Sequence, residues 1–365
     1  MRILHLLWGS TRTYGGVETH VRNLIRFMGE RGHPGSAAAL PALDGALRIS
    51  RDDPDALPLL GFRDALRARL QRDRVQLVIS HNLHLIQTGG VPAVVMEILQ
   101  DAGVAHLGTV HDLPTRATEG GTRVLSSVPL VTVSAFNAGH LKQRPSVELL
   151  DVIPPAIDVA AFSIGEPPDP RTIALPARLS PQKDAQGAVR LVGYLSREVG
   201  PITLLLSNPG AGAHGETTDY LELLRREATA FADLELAFNP FFEIAAMYRR
   251  AALTLAMPRS VEGFGMTPAE SLASGRPVVA TPTGGMDWVH EAPGVLTAAG
   301  RDSLAICAAV AEVLGDNRAW LERAREGRAW VERRFDPDGL CARYLEVCER
   351  VLARRDAIAP RELSA

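Results

Sequence analysis

The stretch LTLAMPRSVEGFGMTPAESLASGRPVVAT, residues 253–281, indicates the fold class of this chain. It predicts a buried strand, LTLAM, then a polar and glycine-rich loop, then a helix, and then a second buried strand, PVVAT. Thr267 at the N-cap, Pro268 directly after it and Glu270 three residues after the cap form a capping-box pattern, which predicts where the helix begins. Gly275 predicts its end. A strand, a helix and a further strand in this order are typical of a parallel sheet.

The same alternation of strands and helices extends from this stretch through the whole chain. The apolar runs that predict strands are RILHLLW, VQLVIS, HLGTV and LVTVS in the first half, and TIALPA, ITLLLS, LELAF, LTLAM and PVVAT in the second. Helical spacing of apolar residues occurs at 17–31, 62–72, 91–102, 184–198, 218–232, 242–250, 302–332 with a break, and 338–355. Continuous apolar strands that alternate with helices favour an α/β fold with doubly wound parallel sheets.

Length and one proline-rich segment indicate two domains. The chain has 365 residues, which exceeds what one hydrophobic core normally serves. The segment 154–171, PPAIDVAAFSIGEPPDPR, lacks periodicity and predicts a linker. We therefore expect Rossmann-like domains at 1–160 and 161–337, and a terminal helix at 338–365 that packs back on the first domain. Polar loops follow the predicted strands, so a ligand cleft between the domains is expected.

Composition excludes several classes of function. The net charge is −3, and no basic run with interleaved aromatic residues occurs, so nucleic acid is not an expected partner. No apolar run approaches the roughly 20 residues of a membrane span, and the Arg-rich helix at 62–72 is expected to be a solvated face rather than a membrane-binding one. The chain has only three cysteines, Cys307, Cys341 and Cys348, and they do not have the paired spacing of a metal site. Such a sparse and odd-numbered set indicates a reduced, cytoplasmic protein.

Two patterns could be interpreted as metal sites, and both are disfavoured. The run DDPD at 52–55 could imitate an Asp-x-Asp motif, but it falls in a polar stretch typical of a solvated turn. His81, His84 and His111 with Asp112 could form a zinc set, yet His-x-x-His on a loop is a poor spacing for one face. We therefore predict no metal, and expect His81 and His84 to line the cleft or to lie at the surface.

Four motifs in order carry a resemblance to a known family. EGFGMTPAE contains two glutamates separated by seven residues, GGVETHVRNLIRFMGERGH precedes it near the N-terminus, and VIPPAID and ARLSPQKD lie between them. Together they closely resemble the motifs of retaining glycosyltransferases of family 4, which have the GT-B fold of two facing Rossmann-like domains with a cleft between them. The resemblance covers nearly the whole chain.

The resemblance implies catalytic roles for four residues. Arg178 and Lys183 would neutralise the donor diphosphate as it leaves. Glu262 would face the donor sugar, and His111 would approach the sugar and the reacting centre. The chemistry agrees, because a leaving diphosphate needs cations and N–H donors for its growing charge. Lys183 is also one of only two lysines, with Lys142, among 39 basic residues.

The resemblance also implies a donor-binding set. Gly15 and Gly16 would offer backbone contacts to the diphosphate, and Glu270 would accept hydrogen bonds from the two ribose hydroxyls. The loop expected to hold the sugar hydroxyls comprises Gly263, Phe264, Gly265, Met266 and Thr267. The chain departs from the family pattern at Asp287, where proline and glutamate are usual, and this departure bears on donor identity.

The resemblance implies an enzyme, a metal-independent retaining glycosyltransferase of the hexosyltransferase type. Its donor would be a UDP- or GDP-linked sugar with no further cofactor, and its acceptor a small-molecule or lipid-linked hydroxyl. Two alternatives stay open from the residues. A sugar phosphorylase of the same fold would leave Glu270 without a ribose, and a nucleotide-sugar-binding regulator would bind donor without turnover.

Overall fold

The computed structural model divides into two compact units, Met1–Ala156 with Pro337–Ala365, and Ile157–Asp336, which we call unit 1 and unit 2. It describes residues 1–8, 15–40, 56–58, 60–83, 85–86, 91–113, 123–124, 128–144, 147–165, 168–208, 215–240, 243–298, 300 and 302–358. The run at 52–55 and His84 therefore lie outside the described residues.

Unit 1 is built on a six-stranded parallel sheet. Its strands are β1 (Ile3–Trp8), β2 (Gly35–Leu40), β3 (Leu77–His81), β5 (Ala105–Val110), β7 (Leu130–Thr132) and β8 (Leu149–Val152); β4 (Leu85–Ile86) and β6 (Arg123–Val124) form a separate antiparallel pair. Its helices are α1 (Gly16–Glu30), α2 (Phe62–Arg72), α3 (Val91–Asp101) and α4 (Ala135–Lys142). The strand order is β2-β1-β3-β5-β7-β8.

Helices cover both faces of this sheet because side chains alternate along each strand. On one face Leu4 and Leu6 of β1 pack with the apolar side chains of α2 and α3. On the other face Leu7 packs with Val21 of α1. His5 lies between Leu4 and Leu6 in the sequence, so it shares the α1 face with Leu7 and is fully buried there.

Unit 2 repeats this architecture. Its strands are β9 (Thr172–Leu175), β10 (Ile202–Asn208), β11 (Leu234–Pro240), β12 (Leu253–Ala256), β13 (Val278–Ala280) and β14 (Val295–Thr297), all parallel and in the order β11-β10-β9-β12-β13-β14. Its helices are α5 (Ala185–Val199), α6 (Gly215–Ala228), α7 (Ile244–Arg250), α8 (Met266–Ala273), α9 (Ser303–Gly315) and α10 (Asn317–Arg334); α11 (Pro337–Ile358) belongs to unit 1.

The strand orders locate the switch point of each sheet. In unit 2 the chain runs outward from β9 to β11 and then returns to place β12 on the other side of β9. In unit 1 it runs from β1 to β2 and then places β3 on the other side of β1. Ligands of open α/β sheets bind beyond the carboxyl ends of the strands at such a point. The loops after β9 and β12, and those after β1 and β3, are therefore the places to examine.

The sequence-based strands and helices were confirmed, and three strands of the two six-stranded sheets were missed, as was the β4–β6 pair. Helix α2 has the predicted bounds, and the predicted break at 302–332 is the turn between α9 and α10. The missed strands are β2, β8 and β14. Among the described residues, no helix combines the length and apolar character needed to cross a membrane.

Candidate functional site

Lys183 and Glu262 lie in contact beside the switch point of unit 2. Strand β9 ends at Leu175, and the chain then forms a short 3-10 helix that ends at Lys183. The neighbouring strand β12 ends at Ala256 and leads into the loop that carries Glu262. The Lys183 ammonium donates to Glu262 Oε1 at 2.5 Å, and their side chains are 28% and 17% exposed. A cation and an acid that the resemblance assigns to different parts of the donor thus pair directly here.

The two loops that carry this pair are held together by further bonds. The backbone N–H of Arg259 donates to the carbonyl of Gln182 at 2.7 Å. The guanidinium of Arg259 contacts Asp184 Oδ1 at 3.3 Å, while Asp184 caps helix α5 by accepting from the N–H of Gly187. Arg259 therefore places a second cation near Lys183. Sequence analysis missed it because one arginine among 37 carries no distinguishing signal.

The backbone of Glu262 is fixed by the segment after β13. Its N–H donates to Thr283 Oγ1 at 3.3 Å, and its carbonyl accepts from the N–H of Gly285 at 2.8 Å. Gly284 between them has φ +56°, and a Cβ there would lie 2.6 Å from the Glu262 carbonyl oxygen. Only glycine therefore allows this close approach.

The predicted capping box around Glu270 is wrong. Helix α8 begins at Met266 with Gly265 as its N-cap in the left-handed region, and no side chain caps it. The Thr267 hydroxyl instead donates to the carbonyl of Pro176, at the end of β9. Glycine at φ +90° can turn the chain into the helix two residues earlier than the threonine pattern predicts. Glu270 is thus not the N3 residue of its helix.

Glu270 is bound instead by a buried tyrosine. The hydroxyl of Tyr248, from helix α7, donates to Glu270 Oε2 at 2.9 Å. Burial first, and then the charge and hydrogen bond of Glu270, raise the pKa of Tyr248 well above its ordinary value. Tyr248 therefore stays protonated and acts as a donor. Sequence analysis missed Tyr248, since nothing in its local pattern relates it to Glu270.

The glycine-rich loop between the two glutamates rests on aromatic side chains. Phe264 is buried, stacks on Trp288 and packs edge-on against Phe335. The indole N–H of Trp288 donates to the carbonyl of Phe264 at 2.8 Å. This packing holds the loop between Glu262 and Glu270 in place. A fixed loop is needed if its backbone N–H groups are to bind the hydroxyls of a sugar, as the resemblance implies.

The other predicted donor-binding residues lie at two different strand ends. Arg178 is exposed in the loop after β9, between Leu175 and the Lys183 turn. Gly16 is the first residue of α1, after β1, and Gly15 is its N-cap with extended backbone. A Cβ on Gly15 would lie 2.3 Å from a carboxylate oxygen of Glu18, so the Glu18 side chain lies against this glycine.

His111 belongs to a hydrogen-bonded chain of buried histidines in unit 1. It follows β5, and its Nε2 lies 2.9 Å from Nδ1 of His81. The other ring nitrogen of His81, Nε2, lies 3.1 Å from Nδ1 of His5. The backbone of His111 is held on both sides, because its N–H donates to Asn82 and its carbonyl accepts from Asn137.

His20 of helix α1 completes this cluster. Its ring centroid lies 5.0 Å from that of His111, and its Nε2 lies 3.3 Å from the hydroxyl of Tyr344 in α11. Burial lowers the pKa of His5 and of His20 to about 3. Both imidazoles are therefore neutral at pH 7.

Three of these histidines also stand close enough to share a metal ion. Ligand nitrogens of His20, His81 and His111 all lie within 4.8 Å of one another. The zinc set considered from the sequence combined His81 and His111 with His84; the structure brings His20 there instead. The signal that could have found His5 is its place in the apolar strand RILHLLW, where a buried imidazole needs a partner.

Comparisons with known proteins place these residues in context. Residues 157–329 match the family described as Glycosyl transferases group 1, a region that includes Lys183, Glu262 and Glu270. A D-inositol 3-phosphate glycosyltransferase of Segniliparus rotundus is 28% identical over 191 residues, which cover 49% of this chain and 42% of that protein. The chain thus spans less than half the length of this curated relative.

Solved structures match over nearly the whole chain. Sucrose-phosphate synthase from Thermosynechococcus elongatus has a TM-score of 0.76 at 16% identity, over 97% of this chain and 100% of that one. Anabaena HepE in complex with UDP-glucose has a TM-score of 0.70 at 16% identity, over 96% and 100%. The predicted α/β fold class with two parallel sheets is confirmed.

Proposed function

We propose that this chain, whose residues 157–329 match the glycosyl transferases group 1 family, is a retaining family 4 glycosyltransferase that uses a nucleotide-diphosphate sugar. The observation that carries the proposal is the contact of Lys183 with Glu262 at the switch point of unit 2. A cation for phosphate and an acid for sugar hydroxyls meet where such sheets bind nucleotides.

Donor binding would exchange the partners of this pair. The diphosphate of the donor attracts the Lys183 ammonium, and the released Glu262 carboxylate accepts hydrogen bonds from the sugar. As the glycosidic bond breaks, negative charge grows on the diphosphate, and Lys183 with Arg178 stabilises it. The exposed Arg259, which contacts Asp184, adds a third cation to Lys183 and Arg178 in the loops after β9 and β12. This supply of positive charge is why we propose catalysis without a metal ion.

Glu270 would hold the nucleoside. Its carboxylate accepts hydrogen bonds from the two ribose hydroxyls, which are charge-assisted and therefore strong. Tyr248 occupies one of its oxygens and orients the group. The role is supported by the loss of the capping alternative, because Gly265 begins the helix.

Retention of configuration would follow from attack on the same face that the diphosphate leaves. In this proposal no protein side chain forms a bond to the sugar, and the acceptor hydroxyl passes its proton to the departing phosphate oxygen. His111 hydrogen-bonds the sugar near the reacting centre. The acceptor is a small-molecule or lipid-linked hydroxyl in a cytoplasmic setting, which the free thiols of Cys307, Cys341 and Cys348 support.

The test begins with nucleotides and ends with turnover. UDP and GDP are compared for their effect on the melting temperature, because a ligand that binds only the native state raises it. UDP- and GDP-sugars are then assayed with an acceptor panel that includes inositol phosphate, suggested by the name of the Segniliparus relative. We expect transfer with retained configuration, and the same rate in EDTA.

Three results would contradict the proposal. Turnover that is lost in EDTA and returns with manganese would show a metal-dependent reaction. Release of sugar 1-phosphate with inorganic phosphate, and no effect of nucleotides, would identify a phosphorylase. Tight nucleotide-sugar binding with no turnover of any donor would identify a regulator.

A further inference from the structure

The hydrogen bonds that link the histidines of unit 1 can run in either direction, and the direction decides which nitrogen of His111 carries its proton. The chain runs from His5 through His81 to His111, with nitrogen–nitrogen distances of 3.1 and 2.9 Å. A neutral imidazole carries one proton on two nitrogens, so it donates on one side and accepts on the other. With all three rings neutral, the chain has two possible arrangements, with all protons directed toward His111 or all directed toward His5.

The two arrangements differ at the end of the chain. Nε2 of His5 is buried and has no hydrogen-bond partner. If the protons are directed toward His5, this nitrogen carries a buried N–H without an acceptor. If they are directed toward His111, it carries only a lone pair. Among backbone groups, orphaned buried N–H donors are rarer than under-satisfied acceptors, and the same preference applied to the imidazole favours the second arrangement.

A metal ion on the same nitrogens is disfavoured by distance. Two imidazole nitrogens on a tetrahedral zinc ion, each about 2.0–2.1 Å from it, lie roughly 3.3 Å apart. The His81–His111 distance of 2.9 Å is instead that of an N–H···N hydrogen bond. Both nitrogens of His81 already contact another histidine, so a metal would have to displace one of these bonds.

We propose that His81, supported by His5, is a positioning residue that holds His111 in the tautomer with its proton on Nδ1. His81 Nδ1–H donates to His111 Nε2, and His5 Nδ1–H donates to His81 Nε2. In this tautomer the proton of His111 is on Nδ1, and its Nε2 lone pair accepts the hydrogen bond from His81. This inference rests on the proposed function only for its effect on turnover, because the tautomer itself is a property of the free protein.

The consequence for the reaction is that His111 does not deprotonate the acceptor. A donor at Nδ1 can bind a sugar hydroxyl oxygen and keep the ring in place while the glycosidic bond breaks. This agrees with the front-face reaction proposed above, in which the departing phosphate receives the acceptor proton. The neighbouring His20 and His5 are neutral at pH 7, so they add no positive charge that would reverse the arrangement.

The tautomer is measured directly by NMR of protein labelled with nitrogen-15 in histidine. Bare and protonated ring nitrogens have well-separated shifts, and His111 is assigned by the signal lost in His111→Gln. We expect His111 to show a protonated Nδ1 and a bare Nε2 in the wild type. His81→Phe keeps a ring of similar size and removes the hydrogen-bond donor to His111. We expect the His111 signals of this variant to shift toward a mixture of tautomers.

Turnover provides the second readout. His81→Phe should lower kcat by roughly 10- to 100-fold with little change in KM for the donor, the cost typical of a misplaced catalytic group. His81→Asn, whose amide can donate from near the Nδ1 position, should recover part of this loss, and His5→Phe should cost less than His81→Phe. His106→Phe is the control, because His106 is partly buried and bonded to Ser80 but lies outside the chain of histidines.

Each result has a defined meaning. A His111 that carries its proton on Nε2, or equal losses in His81→Phe and His106→Phe, would overturn the inference. Stoichiometric binding of zinc by the purified wild type, lost in both His81→Phe and His20→Phe, would also overturn it in favour of a metal site. If His111 has the expected tautomer but the protein turns over no nucleotide sugar, the proposed function is contradicted and the positioning of His111 by His81 is not.

Discussion

At the scale of single residues, Lys183 is a position where the proposed function depends on the identity of the side chain. It is one of two lysines in a chain whose other basic residues are arginines, and it contacts Glu262 at 2.5 Å. A compact ammonium can move from this carboxylate to a phosphate oxygen as a point charge, whereas a planar guanidinium binds the carboxylate in a forked geometry. We expect Lys183→Ala to lower kcat by roughly 100- to 1,000-fold, with a smaller change in donor affinity.

The controls separate this role from codon usage. Lys183→Arg should restore only part of the rate, because it keeps the charge and changes the geometry. Lys142→Ala should have no effect, since Lys142 is exposed at the end of α4. Full turnover in Lys183→Ala, or equal effects at both lysines, would show that arginine-rich coding alone explains the distribution.

Glu270→Gln tests whether this carboxylate binds the nucleoside. Because α8 begins at Met266 without a side-chain cap, removal of the charge should leave the melting temperature nearly unchanged. Loss of charge-assisted hydrogen bonds worth about 1.5–3 kcal/mol should weaken nucleotide binding roughly 10- to 100-fold. Calorimetric titration of UDP and GDP gives the affinity. A variant that melts much earlier and binds nucleotide normally would give Glu270 a structural role only.

Tyr248→Phe tests the partner that sequence analysis missed. The substitution keeps the buried ring and removes the donor to Glu270 Oε2. We expect nucleotide affinity to fall by about tenfold, less than in Glu270→Gln, because the carboxylate remains but is no longer oriented. The double variant should bind like Glu270→Gln alone if the two residues act together. Additive losses would show that Tyr248 stabilises α7 independently of Glu270.

At the scale of elements, hydrophobic pattern predicted the strands with strongly apolar, β-branched or leucine-rich sequences and missed the weak ones. Strand β2, GSAAAL, is rich in alanine, which has low β-propensity, and β14 has only three residues, Val295–Thr297. Such strands are determined by pairing along the whole of a neighbouring strand, as β2 pairs with β1 from Ile3 to Trp8. Local pattern carries no information on that pairing.

The candidate site shows the same division between local and long-range information. Lys183 and Glu262 could be proposed as candidates from the sequence because each stands in a motif with a chemical reason, and the structure brings them into contact. Tyr248 and His5 could not, since their roles arise from contacts over 22 and 76 residues of sequence. The capping box at Thr267 predicted the wrong helix start because a left-handed glycine can begin the helix earlier.

The segment after β13 offers a test of how an element positions Glu262. Gly284→Ala forces a non-glycine residue to φ +56° and places its Cβ 2.6 Å from the Glu262 carbonyl. A positive φ alone costs about 1–2 kcal/mol, and the close contact adds to it. We expect a loss of more than about 2 kcal/mol in the free energy of unfolding and a raised KM for the donor sugar. Urea unfolding and donor kinetics measure the two effects.

Gly300→Ala is the matched control for this change. Gly300 has φ +60°, but a Cβ there meets no atom within 4 Å. It should therefore lose only the cost of the positive φ and keep the wild-type KM. If both variants lose equal stability and keep normal kinetics, the close approach of Gly284 to Glu262 has no functional consequence.

At the scale of the whole molecule, the histidines whose pKa is lowered by burial are distributed unevenly between the two units. Among the described residues, the histidines whose pKa is lowered by burial, namely the buried His5 and His20 and the partly buried His106, all belong to unit 1. The one described histidine of unit 2, His290, is exposed. An unfolded chain binds protons at these imidazoles below about pH 6.5, whereas the folded unit resists protonation until the pH approaches about 3 or 4. Acid therefore acts first on unit 1.

The sign of the effect follows from proton linkage. Between about pH 6.5 and pH 3 the unfolded state binds more protons than the folded state, so the stability of unit 1 falls as the pH falls and is unaffected by these groups above pH 7. Each tenfold difference in proton affinity corresponds to about 1.4 kcal/mol, so the buried imidazoles together amount to several kcal/mol.

Tryptophan positions allow the two units to be followed separately during acid unfolding. Trp8 lies in unit 1, whereas Trp288, Trp320 and Trp330 lie in unit 2. On acidification we expect far-ultraviolet circular dichroism to lose part of its amplitude at a higher pH than the main change in tryptophan emission, because unit 1, with one tryptophan, unfolds before unit 2, with three. His106→Gln keeps a hydrogen-bonding group beside Ser80 and removes one titrating imidazole, so it should move the first step to lower pH. Coincident transitions by both probes, with no shift in His106→Gln, would mean that the units unfold together and that the buried histidines do not control their acid stability.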